Sequence, residues 1–272
     1  MSELTTYPDL VQRSPEWYAA RCGIVTASSI DALISVGPPN AIEVDCPSCG
    51  ALAGSPCLSA AQKKPTPIKT LHDPRTKKAA GLPPVYAPAD GDTARSLLLT
   101  LAAERITGHV EETFSSRIMQ RGIFAEPFAR DLYGGHHAAV SECGFMVREF
   151  DGFKIGYSPD GLVGDDGLIE IKAPLQKREL ATVLAGEVPA EHMAQLQCAL
   201  LVSGRAWIDF VSYCGGMALW VKRVTPDPQW RGAILAAAER AERVIAEHVA
   251  QYKQRTAGLP IAKLIDFDLE VV

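Results

Sequence analysis

The chain has 272 residues, enough for one large domain or for a domain with an insert. With 47% hydrophobic and 22% charged residues it has the composition of a globular protein with a sizeable core. No apolar run approaches the ~20 residues that span a bilayer, and the N-terminus lacks a basic-then-apolar signal pattern, so the sequence predicts a cytoplasmic protein without membrane contact. The net charge of −5 argues against a uniformly basic nucleic-acid binder.

The first third of the chain predicts two helices followed by an insert. Residues 14–36 predict a helix, a turn and a second helix. Residues 37–90 are rich in Pro, Gly and Cys and show little apolar periodicity, which is typical of a segment that needs its own cross-link. Within it, residues 61–80 carry six basic side chains against one acid, which fits either a solvated loop or an arm that faces phosphates.

Apolar periodicity and turn residues predict regular elements from residue 92 onward. In chain order these are helices at 92–108 and 119–134, strands at 142–150, 153–164 and 167–174, a helix at 188–204, strands at 206–213 and 218–224, and a helix at 228–255. On the second helix, Ile123, Phe124, Phe128 and Leu132 predict a face that packs inward. The order predicts an α/β fold of the α+β kind, with one mixed sheet flanked by helices.

Three charged residues lie in the segment "SPDGLVGDDGLIEIKAP" at 158–174. Side chains alternate along a strand, so Glu170 and Lys172 share one face while the intervening isoleucines share the other. The "GDDG" turn predicts a hairpin that returns Asp160 to a position opposite Glu170. Two adjacent carboxylates repel each other unless a cation lies between them, and Mg²⁺ or Mn²⁺ suits oxygen ligands. The alternative is an exposed salt bridge on an ordinary hairpin.

Seven cysteines in a reducing compartment argue against disulfides, and three of them lie close together in the insert. Cys46, Cys49, Cys57 and His72 have the spacing C-x2-C-x7-C-x14-H, which predicts a tetrahedral structural Zn²⁺ site. The alternatives are a reduced, metal-free loop and an iron–sulfur cluster in which His72 replaces a fourth cysteine.

Four stretches in order resemble one family of nucleases. "SPDG…EIKAP" resembles the PD-(D/E)xK signature, and in particular the lambda exonuclease branch with its YqaJ-type viral recombinases. "SPEWYAARCGIVTAS" at 14–28, "RGIFAEPFARDLY" at 121–133 and "HMAQLQCALLVSGRAWIDFVSY" at 192–213 resemble further motifs of that branch. The resemblance covers roughly residues 1–36 and 92–250. It implies a restriction-endonuclease-like nuclease core at 1–36 and 91–272, with a zinc-finger-like module inserted at 37–90.

The resemblance also implies roles at the hairpin. Asp160, Glu170 and the backbone carbonyl of Ile171 would bind Mg²⁺ or Mn²⁺, and Lys172 would orient the attacking water. Glu126 would complete the acidic cluster, although outside this motif it would be taken for an acid on a helix surface.

Three further residues, Gln195, Arg21 and Ser28, gain roles by the same resemblance. Gln195 would hold the attacking water or a phosphate oxygen, and it is preferred over Gln197 because the two cannot share a helix face. Arg21 and Ser28 would bind the 5′-terminal phosphate. Ser28 with Asp31 three positions on resembles a capping box at a helix N-terminus, which suits a phosphate, but taken alone Ser28 fits a plain helix N-cap about as well.

The implied activity is divalent-metal-dependent 5′→3′ digestion of double-stranded DNA ends for phage-type recombination by single-strand annealing. The resemblance implies a single-strand annealing protein as partner, a possible ring-shaped homo-oligomer, and a bacterial host cell or a phage as the source. One alternative is a PD-(D/E)xK endonuclease in repair or restriction. Another is a non-catalytic DNA-binding protein, against which the intact Asp160, Glu170 and Lys172 argue.

Overall fold

A computed structural model describes residues 2–59, 64–111 and 117–264 of the chain. The α-helices of this part are α1 Pro15–Arg21, α2 Asp73–Ala80, α3 Asp92–Thr107, α4 Arg117–His136, α5 Gln176–Ala185, α6 Ala190–Ser203 and α7 Pro228–Arg255. Its strands are β1 Glu3–Tyr7, β2 Val25–Thr26, β3 Ile34–Gly37, β4 Val85–Pro88, β5 Phe145–Glu149, β6 Lys154–Tyr157, β7 Gly161–Val163, β8 Gly167–Lys172, β9 Trp207–Ser212 and β10 Trp220–Val224. The mixed α/β class predicted from the sequence is confirmed.

The strands divide between sheets instead of forming the single mixed sheet that the sequence predicted. One sheet has the order β1-β5-β6-β2, a second has the order β10-β9-β8-β7, and β3 and β4 form a separate ribbon. The chain passes from the first sheet to the second at Ser158–Asp160, between β6 and β7. Pro159 lies in this passage and has no N–H to continue a strand ladder, which is one reason why β6 ends there.

Strands β7 and β8 form the predicted hairpin. Alternate side chains of β8 pack into two different apolar clusters. Gly161 pairs with Ile169 and Val163 with Gly167, a register that brings Asp160 opposite Glu170. Leu168 joins the main core with residues of α6 and α7, whereas Ile169 and Ile171 join a second cluster under α4. Glu170 and Lys172 therefore share the face of Leu168, at the end of β8 where the strand leaves the core.

Helix α4 packs through a different face from the one that its apolar residues predicted. Ala129 and Tyr133 are buried in the second cluster, while Phe124 and Phe128 are exposed. A row of small residues lets the helix axis approach β8 closely, and the large apolar residues consequently point to solvent. The predicted inward face of Ile123, Phe124, Phe128 and Leu132 was wrong.

The ends of the insert lie side by side. Ile34 pairs with Pro88 and Gly37 with Val85, so β3 and β4 form an antiparallel ribbon at its base. The second predicted helix of residues 14–36 is a 3-10 helix, Ile30–Leu33, that leads into β3. Within the insert, Cys46, Ala51 and Cys57 form a small buried cluster separate from the main core. The limits 37–90 given to the insert stay a prediction.

Strand β1 and helix α5 are among the elements that were not predicted from the sequence. Strand β1 pairs with β5 although all its residues are exposed, so no apolar alternation marks it. Helix α5 follows the end of β8 after three intervening residues and buries Glu179 and Thr182, which are not apolar signals either. Among the helices of the described ranges, none is long and apolar enough to cross a membrane.

The packing of α4 can be tested by a pair of substitutions on adjacent residues. Ala129→Leu inserts methylene groups into a filled interface and should destabilise the fold by about 1–3 kcal/mol. Phe128→Ala removes an exposed ring and should change stability by no more than about 0.5 kcal/mol. Urea unfolding followed by circular dichroism measures both. The opposite ranking would mean that the phenylalanines face the core.

Candidate active site and metal centre

One cavity of about 520 Å³ collects the residues that the sequence predicted for catalysis and for binding the 5′ phosphate. It lies between α1, β2, α4, the β7–β8 hairpin and α6. Its lining includes Arg21, Ser28, Glu126, Asp160, Glu170, Ile171, Lys172 and Gln195. These residues are separated by up to 174 positions in the sequence and meet only in the folded chain.

Asp160 is fixed at the start of the hairpin by the strand it faces. Its Oδ2 accepts a hydrogen bond from the backbone N–H of Ile171 at 2.7 Å. This bond joins the side chain that precedes β7 to the backbone of β8, next to Glu170. The hairpin thus holds both carboxylates at one end of the cavity.

Glu170, Lys172 and Gln195 form a closed network. Lys172 Nζ donates to Glu170 Oε1 at 2.8 Å and to Gln195 Oε1 at 3.0 Å, and Gln195 Nε2 donates to the same Glu170 oxygen at 2.5 Å. Glu170 is only 2% exposed, and Tyr157 O–H donates to its other oxygen at 3.4 Å. The network positions the lysine and the glutamine relative to each other before any substrate enters.

Gln197 is directed away from the cavity, as its position on α6 predicted. Its Nε2 donates to the carbonyl of Thr225 at 2.9 Å, and its Oε1 accepts from the N–H of Asp227 at 2.8 Å. Gln197 therefore ties α6 to the turn before α7. The structure brings Gln195, and not Gln197, to Glu170 and Lys172.

Glu126 is held by arginines that the sequence analysis did not single out. Arg130, one helical turn later on α4, donates to Glu126 Oε1 at 2.6 Å and to the backbone carbonyl of Asp160 at 2.8 Å. Arg13 lies 3.9 Å from the other oxygen of Glu126. One guanidinium thus couples the acid of α4 to the start of the hairpin. The i, i+4 spacing of Glu126 and Arg130 is the signal that could have found it.

Burial, with a smaller contribution from neighbouring carboxylates, raises the pKa of two acids of the cavity, Asp160 and Glu126. Burial, followed by the carboxylates of Glu170 and Glu126, raises the pKa of Asp160 well above its usual range. Burial also raises the pKa of Glu126, against the opposing effect of Arg130. Burial lowers the pKa of Lys172, but Glu170 and Asp160 outweigh it and leave the pKa raised, so the lysine is a cation. Buried, mutually repelling carboxylates fit a divalent cation, which would relieve the repulsion.

Arg21 and Ser28 meet on either side of Thr26. The Arg21 guanidinium lies 4.2 Å from the centre of the Trp17 ring, and its Nη2 donates to Thr26 Oγ1 at 3.5 Å. Ser28 Oγ lies 3.1 Å from the same Thr26 oxygen. The N-cap alternative for Ser28 was wrong, since Ser29 occupies the cap position of the short 3-10 helix and makes no side-chain cap bond. An arginine and two hydroxyls facing the cavity suit a phosphate group.

The insert contains the predicted set of zinc ligands. The ligand atoms of Cys46, Cys49, Cys57 and His72 all lie within 4.8 Å of one another, and within the described ranges no other group of three or more such ligands does so. Hydrogen bonds from the backbone N–H groups of Leu58 and Ala51 lower the pKa of the Cys49 thiol. This arrangement fits Zn²⁺, because three sulfurs and an imidazole nitrogen converge on one point and backbone N–H groups donate to the sulfurs.

A buried arginine lies against this cluster. Arg75 is 0% exposed and uses all its donors: it donates to the carbonyls of four residues, and at 3.4 Å to Cys57 Sγ. The carbonyls are those of Ile42, Val44, Leu52 and Ser55. Within the described ranges no carboxylate pairs with it. Because Zn²⁺ with three thiolates and a neutral imidazole carries one negative charge, the bound metal site would neutralise this buried cation.

Arg75 therefore cannot serve as part of a phosphate-facing arm, and that reading of the basic run was wrong for this residue. Lys77 and Lys78 are exposed on α2 and Lys69 is exposed in the loop before it. Lys63 lies outside the described residues.

Comparisons with known proteins agree with this cavity and this cluster. Residues 90–206 match the family described as "YqaJ-like viral recombinase domain", and residues 11–94 match the family described as "Putative DNA-binding phage zinc finger domain". The crystal structure of an alkaline exonuclease (LHK-Exo) from Laribacter hongkongensis has a TM-score of 0.64 at 25% identity, covering 91% of this chain and 100% of that chain. The same exonuclease in complex with dAMP gives a TM-score of 0.63 at the same identity and coverage. A comparison with curated proteins finds no match.

The fold, the acidic cavity and these neighbours support a nuclease of the phage exonuclease type. More particularly, residues 90–206 are similar to YqaJ-like viral recombinase domains and residues 11–94 are similar to phage zinc-binding domains. The resemblance drawn from the sequence motifs is confirmed. The roles of the individual cavity residues stay predictions.

Because Arg75 lies against the zinc cluster, removing its guanidinium should lower the affinity of the cluster for zinc. Arg75→Gln should weaken zinc binding by about 10–100-fold, the usual effect of removing a group that supports a metal ligand. Lys78→Gln, an exposed change on the same helix, should leave affinity unchanged. Competition with a chromophoric chelator gives the dissociation constants, and elemental analysis should find one zinc per wild-type chain. Wild-type affinity in the Arg75 variant would remove its charge-balancing role.

Proposed function

We propose that this protein is a divalent-metal-dependent exonuclease that digests double-stranded DNA ends in the 5′→3′ direction. The observation that carries the proposal is the meeting of Asp160, Glu170, Lys172 and Gln195 with Arg21 and Ser28 in one cavity. The first group suits hydrolysis of a phosphodiester, and the second suits a terminal phosphate. The similar exonuclease in complex with dAMP supports a nucleotide substrate.

Mg²⁺ or Mn²⁺ would be held by the side chains of Asp160 and Glu170 and by the backbone carbonyl of Ile171. Glu126 would contribute from a greater distance. The ion supplies Lewis-acid activation of water and neutralises charge on the phosphate. Within the described residues Lys172 has two hydrogen-bond partners, Glu170 and Gln195. An ammonium has three donors, so the third can orient the attacking water or a phosphate oxygen. Gln195 is hydrogen-bonded to both Glu170 and Lys172, and it would thereby fix the direction in which the third N–H of Lys172 points.

Arg21 would bind the 5′-terminal phosphate by charge, and Thr26 and Ser28 would add hydroxyl donors. A site for a terminal phosphate next to the hydrolytic residues favours attack near a 5′ end over attack within a chain. This is the basis for preferring an exonuclease over the endonuclease alternative. The zinc-bound insert would support the structure and add DNA affinity without taking part in hydrolysis.

A role in phage-type recombination, with a single-strand annealing protein as partner, is part of the same proposal and rests on the YqaJ-like domain at residues 90–206. A ring-shaped homo-oligomer would let the enzyme stay on its substrate, and the acidic net charge is compatible with a basic channel. Sedimentation with and without a DNA end tests the oligomeric state.

The hydrolytic residues are tested by removing one carboxylate at a time. Asp160→Ala or Glu170→Ala should abolish Mg²⁺-dependent digestion of linear duplexes, because each would take a ligand from the metal. Asp165→Ala is the matched control, since Asp165 is exposed in the turn of the same hairpin. Closed circles should resist the wild-type enzyme, whereas cleavage of circles would support the endonuclease alternative. Unchanged digestion by a folded Asp160 or Glu170 variant would refute the assigned site.

The end preference is tested at Arg21. A charge-assisted contact contributes ~1.5–3 kcal/mol, so Arg21→Ala should reduce the preference for 5′-phosphorylated over 5′-hydroxyl duplexes by about tenfold or more. The ratio is measured within one variant, which removes any general loss of activity from the lost contact with Trp17. Arg95→Ala, on the exposed side of α3, serves as the control. An unchanged ratio would remove Arg21 from this role.

A further inference from the structure

An apolar depression of about 720 Å³ adjoins the active-site cavity. It is formed by α4, the first residues of α5 and the loop after β9, and we call it the aromatic groove. The side chains that matter here are Arg121, Phe124, Phe128, Leu175, Lys177 and Tyr213.

The apolar residues of the aromatic groove are not needed to pack the protein. Phe124 is 72% exposed, Phe128 is 53% exposed and Leu175 is 52% exposed. The two phenylalanine rings lie 5.4 Å apart, centre to centre, on adjacent turns of α4. The buried face of the same helix is formed by Ala129 and Tyr133. Large apolar side chains exposed together indicate a surface that binds a ligand or partner.

The charge of the aromatic groove restricts what that ligand is. Arg121 and Lys177 contribute two cations, and no acidic side chain is among the residues that line it, although the chain as a whole carries a net charge of −5. Exposed aromatic rings flanked by cations suit single-stranded nucleic acid, since unpaired bases stack on the rings while phosphates meet the cations. A duplex, whose bases are already stacked and paired, gains nothing from exposed rings.

The aromatic groove also adjoins the active site. Ala173, the residue after β8, lines both the groove and the cavity of Asp160 and Glu170. Arg121 donates to the carbonyl of Ala173 and thereby lies at the boundary between the two. The two depressions therefore meet at Ala173, and a strand that becomes unpaired at the hydrolytic residues has the phenylalanines beside it.

We propose that the aromatic groove binds unpaired nucleotides of the DNA substrate beside the duplex end, with Phe124 and Phe128 stacking on bases and Arg121 and Lys177 contacting phosphates. The inference rests on the proposed function, because it takes DNA as the substrate. It adds a site for single-stranded DNA that is distinct from the residues that hydrolyse the duplex strand. Binding there would hold the enzyme on a resected end.

The test compares binding of a blunt duplex with binding of the same duplex carrying a 3′ single-stranded overhang. Fluorescence anisotropy without a divalent metal measures affinity without hydrolysis. Wild-type protein should bind the overhang duplex more tightly. The double variant Phe124→Ala, Phe128→Ala should lose about tenfold or more of that advantage, the loss expected from one unstacked base, while its affinity for the blunt duplex stays unchanged.

Two further variants separate stacking from simple exposure of apolar surface. Phe124→Trp keeps an aromatic ring and should retain the overhang preference. Leu184→Ala removes an apolar side chain that is also exposed but lies outside the aromatic groove, and it should have no effect. A 2-aminopurine base in the overhang should be quenched by wild-type protein and not by the double variant, which reports stacking directly.

The outcomes distinguish this inference from its competitors. Equal binding of both duplexes by wild-type protein, or a full preference in the double variant, would overturn it. If the double variant kept the preference but changed the molar mass measured by light scattering, the aromatic groove would be an interface between copies of the chain instead. Failure of wild-type protein to digest any DNA end would refute the proposed function, and that is measured separately with Mg²⁺.

Discussion

The repulsion between the carboxylates of Asp160 and Glu170 is the constraint around which the cavity is built. The hairpin register puts them opposite each other, and burial makes their charge costly. Each neighbouring element supplies a compensating donor: the N–H of Ile171 for Asp160, and Lys172 and Gln195 for Glu170. A divalent cation, as proposed, would complete such an arrangement and relieve the repulsion between the two carboxylates.

Two guanidinium groups, one partly buried beside the cavity and one fully buried in the insert, solve similar problems. Arg130 joins Glu126 on α4 to the carbonyl of Asp160 and so keeps an acid of a helix in register with a hairpin. Arg75 organises the loops of the insert through neutral carbonyls, and its charge would be matched by the thiolates around a bound zinc. In both cases a planar group with fixed donors orders several backbone segments at once, which a lysine could not do.

Helix α4 serves the packing and the substrate from different faces. Ala129 and Tyr133 bind it to β8, Glu126 and Arg130 reach the cavity, and Phe124 and Phe128 remain exposed beside the active site. The small side chain of Ala129 lets α4 pack closely against β8, and this packing positions Glu126 beside the β7–β8 hairpin. The large apolar side chains are then exposed beside two basic residues, where the proposed single-stranded DNA would contact them.

The sequence by itself determined the features that depend on short-range spacing. Alternation and a hairpin turn predicted the shared face of Glu170 and Lys172 and the approach of Asp160, and the cysteine spacing predicted the cluster with His72. Only the tertiary structure decided which face of α4 is buried, how the strands divide between two sheets, and that Arg75 is internal. It alone brought Arg21 and Ser28 to the hairpin. Those outcomes depend on contacts between distant segments, whose packing and charge balance overrule the local apolar pattern.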